Sequence, residues 1–284
     1  MRATTSAEIK KQKGQFWSRP GAAAEYERGL TSQNGIVRLK NDVERAIVLR
    51  NARGLILDAG TGTGRFAIAL AQHLNRPVVA LDYSREMLDL NRHLSSQQGI
   101  HLRYVQGDVE HLPFRTECFD TMVSITVVRH FPQYKNILTE YARVLKPDGI
   151  IIFEMCSGEH IRFANRIIPR FGVKYVNDGY FSYEVEIAFS DIHELLDSIG
   201  IDVVDRLTYD MFNNNCFLKI LTINNFAYKS VSKVLGILLR PRLIHSLLAR
   251  IELSILRYLP PAFSYNYMII GRKRNALMRT NPSA

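Results

Sequence analysis

A chain of 284 residues, 46% apolar and 23% charged, is long enough to bury a substantial core, and its balance is that of an ordinary globular domain with additions. The first residues lack the apolar core of a secretory signal, no run of about 18 apolar residues is present, and the three scattered cysteines, Cys118, Cys156 and Cys216, form neither a C-x-x-C zinc pair nor a disulfide framework, so a cytoplasmic chain is expected. The charge is uneven: residues 1–210 carry 26 basic and 26 acidic side chains, whereas residues 211–284 carry 11 basic ones against the single acid Glu252. A basic last quarter suggests an anionic partner, whether a membrane surface, a nucleic acid or an acidic substrate.

In chain order, residues 1–13 are polar and Lys-rich without apolar periodicity, and read as a disordered leader. Residues 15–50 turn helical, interrupted at Pro20, with Ile36, Leu39, Val43, Ala46 and Ile47 on one face and Phe16, Trp17 and Tyr26 as aromatic members of a helical cap. Leu55, Ile56 and Leu57, running up to Asp58, then form an uninterrupted apolar strand of the kind buried on both faces of a parallel sheet. Gly60, Gly62 and Gly64 follow, and after them an apolar helix. Glycines between strand and helix let the chain turn sharply and let a ligand approach bare amide groups. The spacing is G-x-G-x-G, not the G-x-G-x-x-G that seats a dinucleotide pyrophosphate. Asp58 would repel that pyrophosphate and welcome a cationic amino group.

A second strand ends at Asp82, Ser84 is placed to cap the helix that follows, and a third strand over residues 100–106 leads into Gly107, Asp108 and Val109. A carboxylate at the tip of the strand beside a glycine loop suits a pair of ribose hydroxyls. Asp108 and the Val109 amide suit the edge of an adenine. Asp58, Asp82 and Asp108 are separated by 24 and 26 residues, each interval fitting one strand-plus-helix unit. Residues 119–125 read as the fourth and central strand, with His130 just beyond it. A helix over residues 132–145, a Lys-Pro-Asp-Gly turn, a fifth strand over residues 149–154, a helix over residues 191–198 and two more strands, residues 201–208 and 264–272, complete seven.

The glycine loop, the three strand-end acids and the Arg-Val-Leu-Lys-Pro-Asp-Gly string together resemble class I S-adenosylmethionine-dependent methyltransferases of the small-molecule "type 11" group over roughly residues 50–155, with Asp148 standing where glycine is usual. The resemblance implies an α/β, Rossmann-like seven-stranded sheet, six strands parallel and the last antiparallel, with helices on both faces. It implies S-adenosylmethionine as cofactor, held by Asp58, Gly60, Thr61, Gly62, Gly64, Asp82, Tyr83, Asp108, Val109 and Ile125, with Tyr26 closing over it. The expected layout is a leader and helical cap over residues 1–50, a core over 51–210 and 262–275, and a basic helical insertion over 211–261.

Methyl transfer from a sulfonium demands alignment above all, and a general base only where the nucleophile must lose a proton. His130, beyond the central strand and of a type that titrates near neutrality, is the candidate base; a pocket-lining role is the alternative. Residues 160–189 combine seven aromatics with Arg162, Arg166, Arg170 and Lys174 at every fourth position, which suits an acidic, amphiphilic acceptor. A small-molecule or lipid-like acceptor leads. A nucleic-acid methyltransferase is favoured by the basic tail but disfavoured at Ser124-Ile125-Thr126-Val127, where base-amino enzymes carry a D/N-P-P-Y type motif. A non-catalytic cofactor-binding module and an NAD-dependent oxidoreductase are weaker alternatives. Residues 243–259 read as an amphipathic helix, with Leu243, Ile244, Leu247, Leu248, Ile251, Ile255, Tyr258 and Leu259 on one arc and Arg242, His245, Arg250 and Arg257 opposite. It would serve as a substrate lid or as a peripheral contact at the inner face of a membrane.

Overall fold

The computed structural model describes residues 6–167, 185–210 and 225–275. Three helices come first, α1 (Ser6–Trp17), α2 (Ala22–Leu30) and α3 (Gly35–Asn51), followed by β1 (Ile56–Ala59), α4 (Arg65–Leu74), β2 (Val78–Asp82), α5 (Arg85–Gln97), β3 (Arg103–Gln106) and β4 (Phe119–Ser124). Then come α6 (Tyr134–Val144), β5 (Leu145–Ser157), α7 (Gly158–Ile167), β6 (Glu186–Ile187), α8 (Phe189–Ser198), β7 (Ile201–Tyr209), α9 (Asn225–Leu238), α10 (Arg242–Ser254) and β8 (Asn266–Lys273). The sheet runs β3-β2-β1-β4-β5-β8-β7. β1 to β5 are parallel, and β8 lies antiparallel between β5 and β7. The expected seven strands are thus present with the last one reversed, and the two-residue β6 adds a parallel rung beside the end of β5.

The uninterrupted apolar runs are explained by burial on both faces. Along each inner strand, successive residues enter opposite cores: Leu57, Leu81, Met122, Ile151 and Phe153 pack on one side with Ile137, Leu138 and Tyr141 of α6. Ile56, Val78, Ala80, Val123, Ile150 and Ile152 pack on the other with α3 and α4. Ser84 caps α5 as expected, its side chain accepting from the Met87 amide at 3.3 Å. Asp148 takes φ +62, the left-handed geometry that glycine would adopt without strain and that Asp tolerates.

Three expectations are corrected. Of the expected disordered leader over residues 1–13, residues 6–13 belong to helix α1 (Ser6–Trp17), with Ile9 and Lys13 buried, and residues 1–5 lie outside the described residues. Strand five is longer at both ends than residues 149–154, and strand three starts only at Arg103. The amphipathic segment is a helix only over Arg242–Ser254, then a single tight turn at Leu256–Tyr258, and its orientation differs from the expected one. His245, assigned to the polar side, is buried against Asp42 at 2.8 Å, and Leu248, Ala249 and Leu253 pack on the core. Leu243, Ile244 and Leu247 face outward. More than half of the aromatic and basic stretch, residues 168–184, lies outside the described residues; of its first part, Arg162 and Arg166 are exposed on α7.

Candidate active site

The strand order reverses between β1 and β4, and the crevice at the carboxyl ends of the strands is where an open α/β sheet binds ligands. The loops after β1, β2, β3 and β4 meet there, and α1 and α2 lie across them, enclosing a cavity of about 870 Å³. The glycine loop is hung from the end of β2, with the amides of Gly60 and Thr61 both donating to the Leu81 carbonyl at 2.8 and 2.9 Å. Two of its glycines are sterically required. Gly60 has φ +72, and a Cβ there would sit 2.4 Å from Val127; Gly64 has φ +94, and its Cβ would sit 2.2 Å from Asn91 Oδ1. Thr126 also holds a left-handed φ of +61, a strained state for a β-branched residue, as the chain turns to lay Val127 over Gly60.

Asp58 does not reach the cavity. Its Oδ2 accepts from the Thr61 hydroxyl at 2.7 Å and the Ala67 amide at 3.0 Å, so that it builds the loop from behind. Burial pushes its carboxyl up to about 6, and those two hydrogen bonds only partly offset the cost of desolvation. Thr61 and Gly64 likewise shape the loop from outside the cavity. Gly60, Gly62, Asp82, Tyr83, Asp108, Val109, Ile125 and His130 all line it, and Tyr26 joins them from α2. Asp82 uses one oxygen for the Gly62 amide at 2.8 Å and the other for the Ser84 amide at 2.9 Å. Each carboxylate oxygen can accept a further bond, which is what a vicinal pair of hydroxyls needs. Burial raises the Asp82 carboxyl, while the Ser84 and Gly62 amides pull it back. Tyr26 stands over Gly62, its ring 3.3 Å from where a Cβ would be, and is packed edge-on to Trp17 at 5.5 Å. The residues present therefore fit an adenosyl amino acid: glycines that admit close backbone approach, and Asp82 at the end of β2 and Asp108 after β3 as carboxylates facing the same cavity.

Sequence reasoning missed what α1 contributes. Lys10 donates to Asp108 Oδ2 at 2.7 Å and also pairs with Glu110. Lys13, one turn on and on the same face, donates to His130 Nδ1 at 3.1 Å. An ammonium can only donate, so in this form the neutral imidazole carries its proton on Nε2. Burial, Lys13 and Arg129 together hold His130 well below its usual range, which keeps it neutral at physiological pH.

Below the cavity lies a chain of charges that pattern reading also missed. Arg129 donates to Glu154 at 2.8 Å and to Asn266 at 2.9 Å, and Asn266 donates to Asp210 at 2.8 Å. Lys40 stands 3.6 Å from Asp210 and 3.8 Å from Glu44, and Arg65 pairs with Glu44 at 2.5 Å. Burial works against the charge of Lys40, but Asp210 and Glu44 outweigh it and raise the ammonium above its ordinary value. Three cations thus face three carboxylates across α3, α4, β5 and the ends of β7 and β8. The Arg129 guanidinium also lies 5.2 Å from the Tyr265 ring, and Lys40, Arg129 and Tyr265 all line the cavity.

Comparison with known proteins agrees with this geometry. Residues 57–153 match the family model of a methyltransferase domain, type 11. A malonyl-[acyl-carrier protein] O-methyltransferase of Yersinia pestis is 33% identical over 163 residues, 55% of this chain and 58% of that one. A ubiquinone/menaquinone biosynthesis C-methyltransferase of Wigglesworthia glossinidia brevipalpis is 29% identical over 150 residues, 49% of this chain and 60% of that one. The chain therefore spans less than two thirds of the length of these curated relatives. Among solved structures, magnesium protoporphyrin IX methyltransferase from Synechocystis PCC 6803 with bound S-adenosylmethionine superposes with a TM-score of 0.58, covering 96% of this chain and 99% of that one at 14% identity, a likeness of fold. With its glycine loop, strand-end acids and sheet order, the segment over residues 57–153 is a methyltransferase domain of the type 11 group, whose relatives are S-adenosylmethionine-dependent.

Proposed function

We propose that the chain transfers a methyl group from S-adenosylmethionine by direct displacement to a small, acidic, amphiphilic acceptor of lipid-like character, met at the inner face of a membrane. The observation that carries this reading is the lining of the cavity. Beside Gly60, Gly62, Asp82 and Asp108 it holds the cations Lys11, Lys13, Arg19 and Arg129 and the aromatics Phe16, Trp17, Phe131 and Tyr265. Its volume of about 870 Å³ lies near the top of the range of about 300–1,000 Å³ for ligand pockets, as a two-reactant site requires. A relative named for ubiquinone/menaquinone biosynthesis is consistent with an acceptor of this type.

The cofactor supplies an electrophilic methyl on a sulfonium, and the chain's own residues align the partners, an effect that can supply about 7–11 kcal/mol of a barrier. α1 and α2 cover the cleft and exclude water. Lys13 and Arg129 bias the cavity toward an anionic group. His130, neutral and enclosed, takes the acceptor's proton at Nδ1 once Lys13 turns from that nitrogen to the acceptor's anion.

The test is to incubate the protein with radiolabelled S-adenosylmethionine and cell extract. Label should enter acidic, organic-extractable products. Label recovered in nucleic acid, or no transfer by protein that binds the cofactor, overturns the proposal.

A further inference from the structure

Among the described residues, nine of the eleven large apolar side chains exposed to solvent fall within one stretch, residues 231–258. α9 contributes Val231, Val234, Ile237 and Leu238; α10 contributes Leu243, Ile244 and Leu247, with Leu243 88% and Leu247 59% exposed. The two helices are joined by a short link, and both pack on α3, so that the sides away from α3 form one outward surface. The inward sides are built for protein contact: Leu235, Leu239, Leu248 and Leu253 enter the core, and His245 pairs with Asp42. Among the described residues the outward side has no such partner, and an apolar surface concentrated in this way marks an interaction site.

Its charge selects the occupant. Lys233, Arg240, Arg242 and Arg250 are exposed beside the apolar residues. The single acid of the last 74 residues, Glu252, is 1% exposed and turned inward, so the segment presents no negative charge of its own to solvent. Apolar side chains rimmed by cations and free of acids match the boundary between acyl chains and anionic headgroups. Among the described residues no helix is long and apolar enough to cross a membrane, so this is a surface attachment.

The surface is also fastened to the segment that follows two residues of the cavity wall. Arg240 Nε donates to the Gln33 carbonyl at 3.0 Å, and Gly35 packs so tightly on Gly236 that a Cβ would sit 2.7 Å from its carbonyl oxygen. Gln33 and Gly35 follow shortly after Gly29 and Leu30, which line the cavity. We infer that the outward face of α9 and α10 docks on an anionic lipid bilayer and holds the mouth of the cavity at the membrane surface. The inference deepens the lipid-like acceptor reading by assigning the surface through which such an acceptor is reached.

The experiment is flotation of the full chain with vesicles of phosphatidylcholine alone or mixed with phosphatidylglycerol, at low and high salt. The protein should float with the anionic vesicles, salt should weaken that binding, and neutral vesicles should leave it behind. Leu243→Glu with Leu247→Glu should abolish flotation. Lys233→Ala with Arg242→Ala should weaken partitioning on the order of fivefold per cation removed. All four side chains are exposed, so calorimetric affinity for S-adenosylmethionine should be unchanged and reports that each variant is folded. Equal flotation by all variants, no flotation of a cofactor-binding wild type, or light scattering that shows the face buried in a dimer dispersed by Leu243→Glu would each overturn the inference. Flotation requires no acceptor: docking with no transfer to lipid-like acceptors sinks only the acceptor reading, and transfer without docking sinks only the surface.

Discussion

Replacing Asp58 by Asn should make the folded protein more stable near neutral pH. The carboxylate is 1% exposed, and both of its hydrogen bonds, from the Thr61 hydroxyl and the Ala67 amide, fall on one oxygen, so an Asn oxygen in the same place can accept both. Burial moves the carboxyl from 3.8 to about 6, a cost to the charged form of about 3 kcal/mol. Below about pH 4 the folded and unfolded chains both hold the proton, and the substitution should be nearly neutral. Between about pH 4 and 6 the unfolded chain ionises while the folded one does not, so wild-type stability falls as pH rises, and above about 6 the full penalty is present. Asn carries no such penalty. Urea melts at about pH 4 and pH 7 should therefore show the variant gaining up to about 3 kcal/mol at the higher pH only. A variant less stable than wild type at pH 7 would refute the reasoning, because the carboxylate's charge would then be contributing to the fold. Calorimetry adds a second check: Asp58 does not line the cavity, so cofactor affinity should hold, and a tenfold loss would mean that the ligand senses the charge directly.

If Asp82 accepts from the ribose hydroxyls, Asp82→Ala should lower calorimetric affinity for S-adenosylmethionine about ten- to a hundredfold, since hydrogen bonds to charged groups contribute about 1.5–3 kcal/mol. Lys13→Met removes a cation beside His130 and should raise its pKa, moving the acid limb of the turnover profile to higher pH; an unmoved limb would disconnect the two residues. Loss of His130 itself, as His130→Ala, should lower turnover by about 10²–10⁴ with cofactor affinity retained. Gly64→Ala imposes a left-handed Cβ into Asn91, and thermal melting should show a loss of at least about 1–2 kcal/mol together with weakened cofactor binding.

The parts of the fold legible from sequence are those governed by local physics. Asp58, Asp82 and Asp108 could be aligned because each βα unit consumes a nearly fixed length of chain, and Asp148 could be accepted in a turn because its conformational freedom is a property of the residue. α1 was missed because no apolar stripe announces it. Its order comes from Ile9 and from Lys10 and Lys13 meeting Asp108, Glu110 and His130, about a hundred residues away. The i, i+3 spacing of the two lysines was the available signal. The rotation of α10 was misjudged for a similar reason. Its apolar residues occupy more than one side, and the decision rests on His245 finding Asp42, 203 residues earlier. Arg129 carried a positional clue, adjacency to His130, but its partners Glu154 and Asn266 come from later strands.

The chain of charges beneath the cavity constrains how the site could be altered. Arg129 is 5% exposed and Glu154 fully buried, 2.8 Å apart. Removing one member of such a pair costs about 3–5 kcal/mol, whereas exchanging both for apolar groups of similar volume is often neutral. A domain whose whole stability is of the order of 5–15 kcal/mol can lose a third or more of it in that single step. Redesign of the cavity wall at Arg129 therefore has a rugged path: stepwise libraries will discard intermediates that simultaneous exchange of Arg129 and Glu154 would carry past. Altered acceptor preference at this position should emerge from paired libraries and be absent from saturation of Arg129 alone.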